Sequence, residues 1–470
     1  MDYKKLGFKC GIEIHQQLDT HKLFCNCPSE LKDGPHDISI KRRLRPVPGE
    51  EGEIDIAAKH ETEKNLEFVY EGYSDNTCSV ELDEEPPHDL NQDALKTVLE
   101  ICKLLNCNIV DEVQVMRKTV VDGSNTSGFQ RTMLVGFDGY LDTSYGKVGI
   151  DSICLEEDSA RRVGRILQGK KEKSKVYRLD RLGIPLVEIA TNPDIKNPEQ
   201  CKETAEKLGM ILRSTGKVKR GIGVIRQDVN VSIKNGARVE IKGFQDLKNI
   251  PRIIEGEVKR QLKEKIKEEV RNANADGSTT FMRPMPGAAR MYPETDVKPV
   301  IIDKKLLNSV KISELIDDKI LKYEKDGLSS EIARNLVNSG FNLEDYQYDL
   351  DIGTTANILV EIPKDIKSRY NLNYEFKEKD YRFVFEALKS KKISKDSVID
   401  IFIEIAKNKK INLKKYTPMN SLKLEDEIKK LVQKNKDLSI GALMGEVMKK
   451  FGGKVEGKLA AKLVAKYKNG

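Results

Sequence analysis

The chain has 470 residues, of which 38% are apolar and 33% charged, and its formal net charge is +7. This length fits about two to four domains. No stretch reaches the roughly 20 apolar residues that a membrane span needs, and the amino-terminal residues lack the pattern of a secretory signal. Eight cysteines spread over a long chain do not indicate a disulfide scaffold. We therefore expect a cytoplasmic protein without a membrane segment.

The pattern of apolar residues changes near residue 300. Before it, short segments alternate between apolar and polar residues, which predicts strands; after it, apolar residues recur at three- and four-residue spacing, which predicts helices. We predict an α+β fold with three domains. A catalytic cradle of mainly antiparallel sheet occupies residues 1–300, a helical middle domain 301–395, and a small lysine-rich helical tail domain 396–470.

Polar residues at alternate positions of the first strand predict a functional face. In Gly11–His15, Ile12 and Ile14 share one face of the strand, while Glu13 and His15 share the other. An ordinary half-solvated sheet also alternates in this way. A polar face made of an acid next to a histidine is nevertheless an unusual composition for such a sheet.

Later strands carry further polar residues. Glu157 follows Ile153 and Leu155 on one face at the end of a strand, and Glu188 lies inside an apolar run. Two further strands, 226–233 and 238–242, have polar faces made of Arg226, Asp228, Asn230 and Ser232, and of Arg238, Glu240 and Lys242. Oxygen-rich donors with one histidine suit Mg²⁺, and arginine and lysine suit polyphosphate.

The usual nucleotide-binding motifs are missing. The sequence has no G-x-x-x-x-G-K-[ST] motif and no protein-kinase set, and Gly221–Gly223 is only a lone G-x-G. If ATP binds to this chain, the fold is neither a P-loop nor a protein kinase.

Asn235 and Gly236 predict a turn between strands 226–233 and 238–242. A two-residue loop would mix polar and apolar side chains on each face, which a buried sheet resists. We therefore predict a three-residue loop with glycine in the left-handed conformation, or a bulge of the same parity. Either one puts Asn230 and Glu240 on the same face.

Two loops have a weaker signal. Cys25 and Cys27, with Cys78 farther along, supply three ligands for a structural zinc ion, but the C-x-C spacing is short and no fourth ligand is evident. Buried free thiols are therefore favoured. Ser124 lies in a Gly/Ser/Asn-rich loop, 122–128, which can hydrogen-bond a ligand, although most such loops are turns.

The positive charge is concentrated at the carboxyl-terminal end. Residues 401–470 hold 17 lysines, no arginine and seven acids, a net charge of +10, which leaves −3 for the other 400 residues. Such a tail is typical of binding to a polyanion such as RNA, although a solvated helical face has the same composition. We predict a helix at Ile440–Phe451, and near 456–468 a second helix with a stripe of lysines.

Eight segments, in order from Gly11 to about Val300, resemble the family formed by the archaeal E-type subunit of glutamyl-tRNA(Gln) amidotransferase and its bacterial and organellar relative, the B-type subunit. They are GIEIHQQLDTHKLFCNCPSEL, DEEPPH, TVVDGSNTSGFQRT, CLEEDSARR, RLDRLGIPLVEIATNPD, RGIGVIRQDVNVSI, RVEIKGFQDL and MRPMPGAARMYPETDV. HQQL, DGSNTSGFQRT and MYPETDV favour the E type over the B type. The lysine-rich tail is similar to the helical tRNA-binding end domain of this family.

The resemblance implies a reaction. ATP phosphorylates the side-chain carboxylate of misacylated Glu-tRNA(Gln), and ammonia displaces the phosphate to give Gln-tRNA(Gln). In this family the ammonia comes from glutamine, which an asparaginase-like D-type subunit hydrolyses in a heterotetramer. The activity is that of a glutaminyl-tRNA synthase (glutamine-hydrolysing), a carbon–nitrogen ligase. Two alternatives stay open: the B-type subunit of a heterotrimeric Asp/Glu-tRNA amidotransferase, and a non-catalytic tRNA-binding scaffold.

The resemblance also implies site residues. The residues expected to bind Mg²⁺ and to act in catalysis are Glu13, His15, Glu157 and Glu188, with Glu156 as the alternative metal ligand to Glu157. Those expected to line the ATP site are Ser124, Arg226, Asp228, Asn230, Glu240 and Lys242. Those expected to bind tRNA are Lys449, Lys450, Lys458, Lys462 and Lys466.

One departure concerns a domain that the E-type subunit usually carries, similar to one in bacterial aspartyl-tRNA synthetase. It is inserted between the helix of EVKRQL and the segment NADGSTTFMRP. Here Glu257–Leu262 reaches Asn274 in about a dozen residues, which leaves no room for that domain.

Overall fold

The computed structural model describes the chain except for residues 49–51, 55, 170, 245, 286–290, 347, 408–410, 418–420, 436, 452–454, 456 and 469–470, and the side chains of 421–423 and 458. The chain divides into two units, Met1–Leu315 and Ile316–Gly470. The first combines sheets with helices and the second is helical, so the predicted α+β class is confirmed. Of the helices that the structure describes, none is both long enough and apolar enough to cross a membrane.

The first unit contains strands and five α-helices within its described residues. The strands are β1 Lys9–Gln17, β2 Ile38–Arg42, β3 Glu67–Gly72, β4 Asn108–Ile109, β5 Glu112–Val113, β6 Met116–Thr119, β7 Phe129–Thr143, β8 Gly146–Glu157, β9 Arg161–Gln168, β10 Lys171–Arg178, β11 Pro185–Thr191, β12 Ile225–Ser232, β13 Val239–Lys242, β14 Glu269–Ala273, β15 Thr279–Pro284, β16 Met291–Pro293 and β17 Val300–Ile301. The helices are α1 Ile56–Glu63, α2 Gln92–Leu104, α3 Pro198–Ser214, α4 Ile250–Lys263 and α5 Lys304–Ser309.

A large sheet forms the centre of the first unit. Its strand order, over the described residues, is β15-β14-β13-β12-β1-β11-β8-β7-β6-β16, with β4 paired to β7. All of these pairs are antiparallel except β13 with β14. A smaller sheet has the order β2-β3-β10-β9, and β17 pairs with β5.

Helices cover one face of the large sheet. Helix α2 packs on β7 and β8, α3 on β1, and α4 on β12. The side chains of Ile12, Ile14, Val229 and Ile241 point into this core and are buried. Burial of these apolar side chains stabilises the layer and fixes which face of each strand is polar.

Helix starts are fixed by side-chain caps. The Asn91 side chain accepts hydrogen bonds from the backbone N–H groups of Asp93 and Ala94 at the start of α2, each at 3.0 Å. Asn197 accepts from Gln200 N–H at 2.8 Å, and Pro198 is the first residue of α3. These caps satisfy N–H groups that have no partner inside the helix.

The β12–β13 hairpin has the predicted parity but a longer loop. Asn230 lies opposite Glu240 and Val231 opposite Val239, so Asn230 and Glu240 share a face as predicted. The three-residue loop is wrong, because it would pair Asn230 with Lys242, and the observed register is shifted from that by two residues. Asn235, not Gly236, takes the left-handed conformation, with φ of +66°. A side chain at Gly236 would meet the Gln261 carboxamide oxygen, so the Gln261 side chain would have to move to make room for it.

The second unit is helical over its described residues. Its α-helices are α6 Ile316–Lys325, α7 Ser330–Ser339, α8 Ile352–Ala356, α9 Ile362–Arg369, α10 Glu378–Lys389, α11 Val398–Ala406, α12 Ser421–Lys434, α13 Ile440–Phe451 and α14 Gly457–Lys468. The first of the two cores in this unit joins residues of α6 to α11 around Phe385 and Phe402. The first unit ends at Leu315, beyond the predicted boundary at 300, and α11 packs with the helices that precede it.

The last three helices have a core of their own. Leu443, Val447 and Phe451 of α13 are buried against Leu424 and Ile428 of α12, which confirms the helix predicted there. The glycine pair predicted to end that helix, 452–453, lies outside the described residues.

Candidate active site

Polar side chains of neighbouring strands form rows on the face of the large sheet opposite the helices. Strand β1 lies between β11 and β12, and β11 pairs with β8. The cross-strand pairs are Glu13 with Asp228, His15 with Glu188, His15 with Arg226, Leu186 with Glu156, and Asn230 with Glu240. Directly opposed side chains are about 5 Å apart at Cβ, so the rows bring carboxylates into contact.

The first cluster consists of His15, Glu156 and Glu188. One ligand atom of each lies within 4.8 Å of the others. His15 Nε2 is 3.1 Å from Glu188 Oε2. Lys118 Nζ lies 2.5 Å from Glu156 Oε1 and 3.7 Å from Glu188 Oε2, so a cation already holds part of the negative charge.

Burial and close carboxylates shift the pKa values of this cluster. Burial and the charge of Glu188 raise the pKa of Glu156. Although burial opposes ionisation of Glu188, Lys118 and His15 hold its pKa well below the usual value. Burial likewise opposes the charged form of His15, but its hydrogen bond to Glu188 raises the pKa of the imidazole. The pKa values of the two glutamates are thus shifted in opposite directions.

The second cluster consists of Glu13, Asp228 and Glu240, whose carboxylate oxygens also lie within 4.8 Å of one another. Asn230 Nδ2 donates a hydrogen bond to Glu13 Oε1 at 3.1 Å. Lys242 Nζ lies 2.5 Å from Asp228 Oδ2 and also contacts Glu240. Asp228 and Glu240 therefore share a lysine, whereas Glu13 has an amide donor.

Glu13 is the carboxyl group whose pKa is raised to about 7. Burial is the largest cause, and the carboxylates of Glu188 and Glu240 add to it. Lys242 and His15 oppose the shift only in part. A cation placed beside Glu13 would reverse this shift, since it favours the ionised form.

An arginine and a pocket adjoin the first cluster. Arg226 donates to both oxygens of Asp158, at 2.9 and 3.3 Å, and Gln17 Nε2 donates to the same carboxylate at 2.7 Å. Gln17 also lines an open pocket of about 590 Å³, whose polar and charged lining includes Asp19, Ser29, Lys219 and Arg220. A pocket of this volume has room for a nucleotide.

Comparison with known proteins places this chain in a family. Residues 8–308 match the model of the GatB/GatE catalytic domain. The chain belongs to the GatB/GatE family. A glutamyl-tRNA(Gln) amidotransferase subunit of the E type from Archaeoglobus fulgidus is 36% identical over 97% of this chain and 97% of its own length. Another from Methanocaldococcus jannaschii is 34% identical with the same coverage of both chains.

A more local match is closer, and the long matches contain gaps. An E-type subunit from Methanococcus vannielii is 55% identical over 277 residues, which are 58% of this chain and 43% of that protein. The alignment with the Archaeoglobus fulgidus protein runs over 602 positions, so more than a hundred positions of that GatB/GatE protein have no counterpart among the 470 residues here. In the fold, residues 264–268 alone connect α4 to β14.

The structure of this GatB/GatE chain brings Glu156, and not Glu157, to His15 and Glu188, whereas Glu13 lies in the second cluster. Successive side chains of a strand point to opposite faces, so only one of the two can face His15. The Glu157 carboxylate instead accepts from Arg131 N–H at 3.3 Å and lies 3.4 Å from the Arg131 guanidinium. Burial raises the pKa of Glu157, although Arg131 opposes this.

The described contacts of Ser124 are those of a turn. Its N–H and hydroxyl both donate to Asp122 Oδ1, at 2.9 and 2.6 Å, and its carbonyl accepts from Ala160 N–H at 2.8 Å. None of these contacts, among the described residues, involves either carboxylate cluster. Arg226, Asp228, Asn230, Glu240 and Lys242 do lie in or beside the clusters.

Four of the five predicted tRNA-binding lysines have described side chains. Lys449 and Lys462 are exposed. Lys450 Nζ lies 3.0 Å from Glu427 and Lys466 Nζ 2.7 Å from Glu425, so these two already have acidic partners. The side chain of Lys458 lies outside the described residues.

Sequence reasoning missed Lys118, Asp158 and Gln130. Lys118 contacts both glutamates of the first cluster, and Gln130 Nε2 donates to Glu156 Oε2 at 3.2 Å. Asp158 is the third acid of the CLEED segment, and its run of three acids was a usable signal. Lys118 is one of 82 lysines and arginines, and only its strand neighbours distinguish it.

Proposed function

We propose that this chain is the subunit of a tRNA-dependent amidotransferase that activates the glutamyl side chain of Glu-tRNA(Gln) with ATP. The observation that carries the proposal is the pair of carboxylate clusters on one face of the sheet, with Lys118, Lys242 and Arg226 beside them. Relatives named as E-type subunits of glutamyl-tRNA(Gln) amidotransferase, with similarity over nearly the whole chain, support the tRNA substrate.

The donor sets of both clusters fit Mg²⁺. The first offers two carboxylates and an imidazole, and the second offers three carboxylates. Within each cluster the ligand atoms lie close enough together to bind one ion. The residues that would hold Mg²⁺ are Glu13, His15, Glu156 and Glu188. Asp228 and Glu240 lie with Glu13 in the second cluster. When bound, Mg²⁺ offsets the negative charge of the transferred phosphoryl group.

The reaction is a phosphoryl transfer followed by a displacement. A carboxylate oxygen of the glutamyl side chain forms a bond to the γ-phosphorus of ATP, and the bond to ADP breaks. Ammonia then attacks the acyl carbon, phosphate leaves, and one proton of the nitrogen is lost to give the amide. In the first step Lys242 and Lys118 orient phosphate oxygens, and Arg226 shares Asp158 with Gln17, which lines the pocket with room for a nucleotide.

The nitrogen source is proposed to be a partner. The family resemblance favours an asparaginase-like D-type subunit that hydrolyses glutamine, in a heterotetramer. The polar clusters are complete among the described residues, which favours catalysis over a tRNA-binding scaffold. The similarity to relatives named as E-type subunits favours that type over the B type.

The test is amide formation by the purified chain. With Glu-tRNA(Gln), ATP, Mg²⁺ and ammonium chloride it should form Gln-tRNA(Gln), whereas glutamine in place of ammonium should give none without a partner. Digestion of the tRNA and separation of glutamate from glutamine measures the product. Failure with ammonium would contradict the proposal, and product with glutamine alone would contradict the need for a partner.

We expect Mg²⁺ to bind more tightly as the pH rises through about 7. Glu13 keeps its proton below a pKa of about 7, and Mg²⁺ binds the ionised carboxylate. Each proton displaced changes the affinity up to about tenfold per pH unit below that pKa. Calorimetric titration of Mg²⁺ at pH 6 and pH 8, in buffers of different ionisation enthalpy, measures both the affinity and the proton release.

Glu13→Gln should release about one proton fewer on binding Mg²⁺. Glu206→Gln, at an exposed position of α3, is the control and should behave as the wild type. An affinity that is equal at pH 6 and pH 8, with no proton release, would contradict the assignment of Glu13.

We expect two exposed tail lysines to contribute to tRNA binding. Lys449→Gln with Lys462→Gln should weaken tRNA binding and lower the slope of log affinity against log salt by about 0.7–0.9 for each phosphate contact removed. Substitution is preferable to deletion of 439–470, because deletion would expose Leu424 and Ile428 of α12. Filter binding at several salt concentrations measures the slope.

Lys325→Gln with Lys379→Gln is the matched control, since both residues are exposed lysines of other helices and the net charge changes equally. If both pairs of substitutions lower the slope equally, the tail is not a specific tRNA contact.

A further inference from the structure

A buried carboxylate at the end of β8 joins the first carboxylate cluster to the pocket beside it. Asp158 follows Glu157, the last residue of β8, and is 1% exposed. Its Oδ1 accepts from Arg226 Nη2 and from the Ser159 N–H, each at 2.9 Å. Its Oδ2 accepts from Gln17 Nε2 at 2.7 Å and from Arg226 Nη1 at 3.3 Å. These bonds fill the roughly four acceptor positions of a carboxylate, so Asp158 has none left for a metal ion or a substrate.

We propose that Asp158 is a positioning residue that holds the Arg226 guanidinium toward a phosphate group of the nucleotide. The inference rests on the function proposed above, because it takes ATP as the ligand of this face of the sheet. Asp158 does not touch the nucleotide. It acts through Arg226, and it also orients Gln17, which lines the pocket.

The two hydrogen bonds to Asp158 fix the direction of the Arg226 side chain. A guanidinium that donates twice to one carboxylate cannot turn without breaking a bond. The pair of bonds uses one hydrogen of each Nη atom, so three of the five N–H groups stay available for another acceptor. The Arg226 side chain is 37% exposed and that of Asp158 1%, so a ligand can reach the arginine but not the acid.

Arg226 lies next to both carboxylate clusters. In the sheet it is directly opposite His15. Burial opposes the charged form of Arg226, but Asp158, and after it Asp228 and Glu156, raise the pKa of the guanidinium. A phosphate group bound at the clusters would therefore meet a cation whose direction Asp158 has already set.

The backbone and a second arginine keep the Asp158 carboxylate in place. The Asp158 N–H donates to the carbonyl oxygen of Ile184 at 2.8 Å, and its own carbonyl oxygen accepts from the Gly183 N–H at 3.0 Å. Arg181 Nε lies 3.8 Å from Asp158 Oδ1. Two guanidinium groups thus share one carboxylate, and Asp158 keeps a cationic partner even when Arg226 is replaced.

A buried ion pair can also serve stability alone. Both roles predict that Asp158→Asn lowers the melting temperature, but they differ in how this substitution combines with one at Arg226. If Asp158 acts through Arg226, its replacement changes nucleotide binding little once the arginine is gone. If it only stabilises the fold, the two effects multiply.

The test is a cycle of Asp158→Asn, Arg226→Gln and the double variant in the full chain. Each single variant should lower kcat/KM for ATP by about 10–100-fold and weaken binding of adenylyl imidodiphosphate with Mg²⁺ by about tenfold or more. The KM for Glu-tRNA(Gln) should change less than about twofold, since neither side chain is among the tail lysines. The double variant should bind the analogue within about twofold of Arg226→Gln. Calorimetric titration measures the binding.

Added guanidinium ion tests the same point with the acid intact. In Arg226→Ala, millimolar guanidinium chloride should partly restore binding of the analogue, because Asp158 binds the cation at the vacated position. It should restore nothing when Asp158→Asn is added, and potassium chloride should restore nothing in either variant. Since Arg226→Ala leaves Asp158 with Arg181, this measurement decides the question even if Asp158→Asn does not fold.

Glu257→Gln is the matched control. Glu257 is also a buried acid that accepts from an arginine and a glutamine, Arg260 at 2.9 and 3.0 Å and Gln261 at 3.0 Å, but it belongs to α4. Its replacement should lower the melting temperature without changing binding of the analogue.

The outcomes separate this inference from the proposed function. If the wild-type chain binds the analogue but forms no amide, the proposed function fails, and the cycle still decides the role of Asp158. The inference is wrong if the effects of the two substitutions on binding multiply, if guanidinium restores no binding to Arg226→Ala, or if the wild-type chain does not bind the analogue.

Discussion

Glu156→Gln is expected to lower the rate of ATP hydrolysis that depends on Glu-tRNA(Gln) by at least about 100-fold, and Glu13→Ala should do the same. Each substitution removes a carboxylate that would hold Mg²⁺ at the transferred phosphoryl group, and such an interaction is worth several kcal/mol in the transition state. Binding of tRNA should change less than about twofold, because neither residue is among the exposed tail lysines. Phosphate release and filter binding measure the two effects.

Glu157→Gln is the matched control, since it changes the adjacent residue in the same way. Its carboxylate faces Arg131 rather than His15, so it should lower stability but leave the Mg²⁺ dependence of hydrolysis unchanged. The reverse result, with Mg²⁺ dependence altered by Glu157→Gln and not by Glu156→Gln, would show that the metal lies on the other face of β8.

Glu294→Gln is expected to lower the free energy of unfolding of the first unit by about 3–5 kcal/mol, the largest loss of stability among the predicted substitutions. The Glu294 side chain is fully buried and accepts from Arg117 Nε at 2.9 Å and Arg131 Nε at 2.8 Å. Although burial opposes ionisation, the hydrogen bonds from Arg117 and Arg131 lower the pKa of Glu294 to about 2. Neutral glutamine would remove the buried charge that the two guanidinium groups share, leaving Arg117 with the half-exposed Asp296 and Arg131 with Glu157.

The control for this prediction is Asp296→Asn. Asp296 also contacts Arg117, at 3.1 Å, but it is about half exposed, and exposed ion pairs contribute about 0–1 kcal/mol. Because the pKa of Glu294 is lowered on folding, its contribution is complete above its unfolded pKa near 4.5 and disappears as the pH falls toward 2. Denaturant titrations at pH 7 and pH 3 should therefore show a smaller difference between Glu294→Gln and wild type at pH 3. Equal stability of the variant and wild type at pH 7 would contradict the account.

The period of two along β1, β12 and β13 was enough to predict which residues share a face. Apolar positions such as Ile12 and Ile14 must point to the helices, so Glu13 and His15 have to point away from them. The same rule gave the parity of the β12–β13 hairpin. These elements are predictable because burial of alternate residues fixes them locally.

Contacts between distant segments were not predictable in this way. Alternation put Glu157 on the apolar face of Ile153 and Leu155, and therefore Glu156 on the opposite face; the choice of Glu157 as a metal ligand came from the family resemblance and not from this period. Glu81 becomes a neighbour of Cys25 only because two irregular segments fold together. The register of β12 with β13 differs by two residues from the prediction, and Gly236 in their loop packs against Gln261 of α4, which lies outside the hairpin.

The transfer of oxygen from the glutamyl side chain to phosphate tests the central claim most directly. If Glu-tRNA(Gln) carries ¹⁸O in the side-chain carboxylate, displacement of the phosphate by ammonia should leave one ¹⁸O atom in each phosphate released with Gln-tRNA(Gln). Mass spectrometry of the phosphate measures this after reaction with ATP, Mg²⁺ and ammonium chloride. Phosphate without ¹⁸O, alongside amide product, would show that the carboxylate is not the group that these clusters phosphorylate.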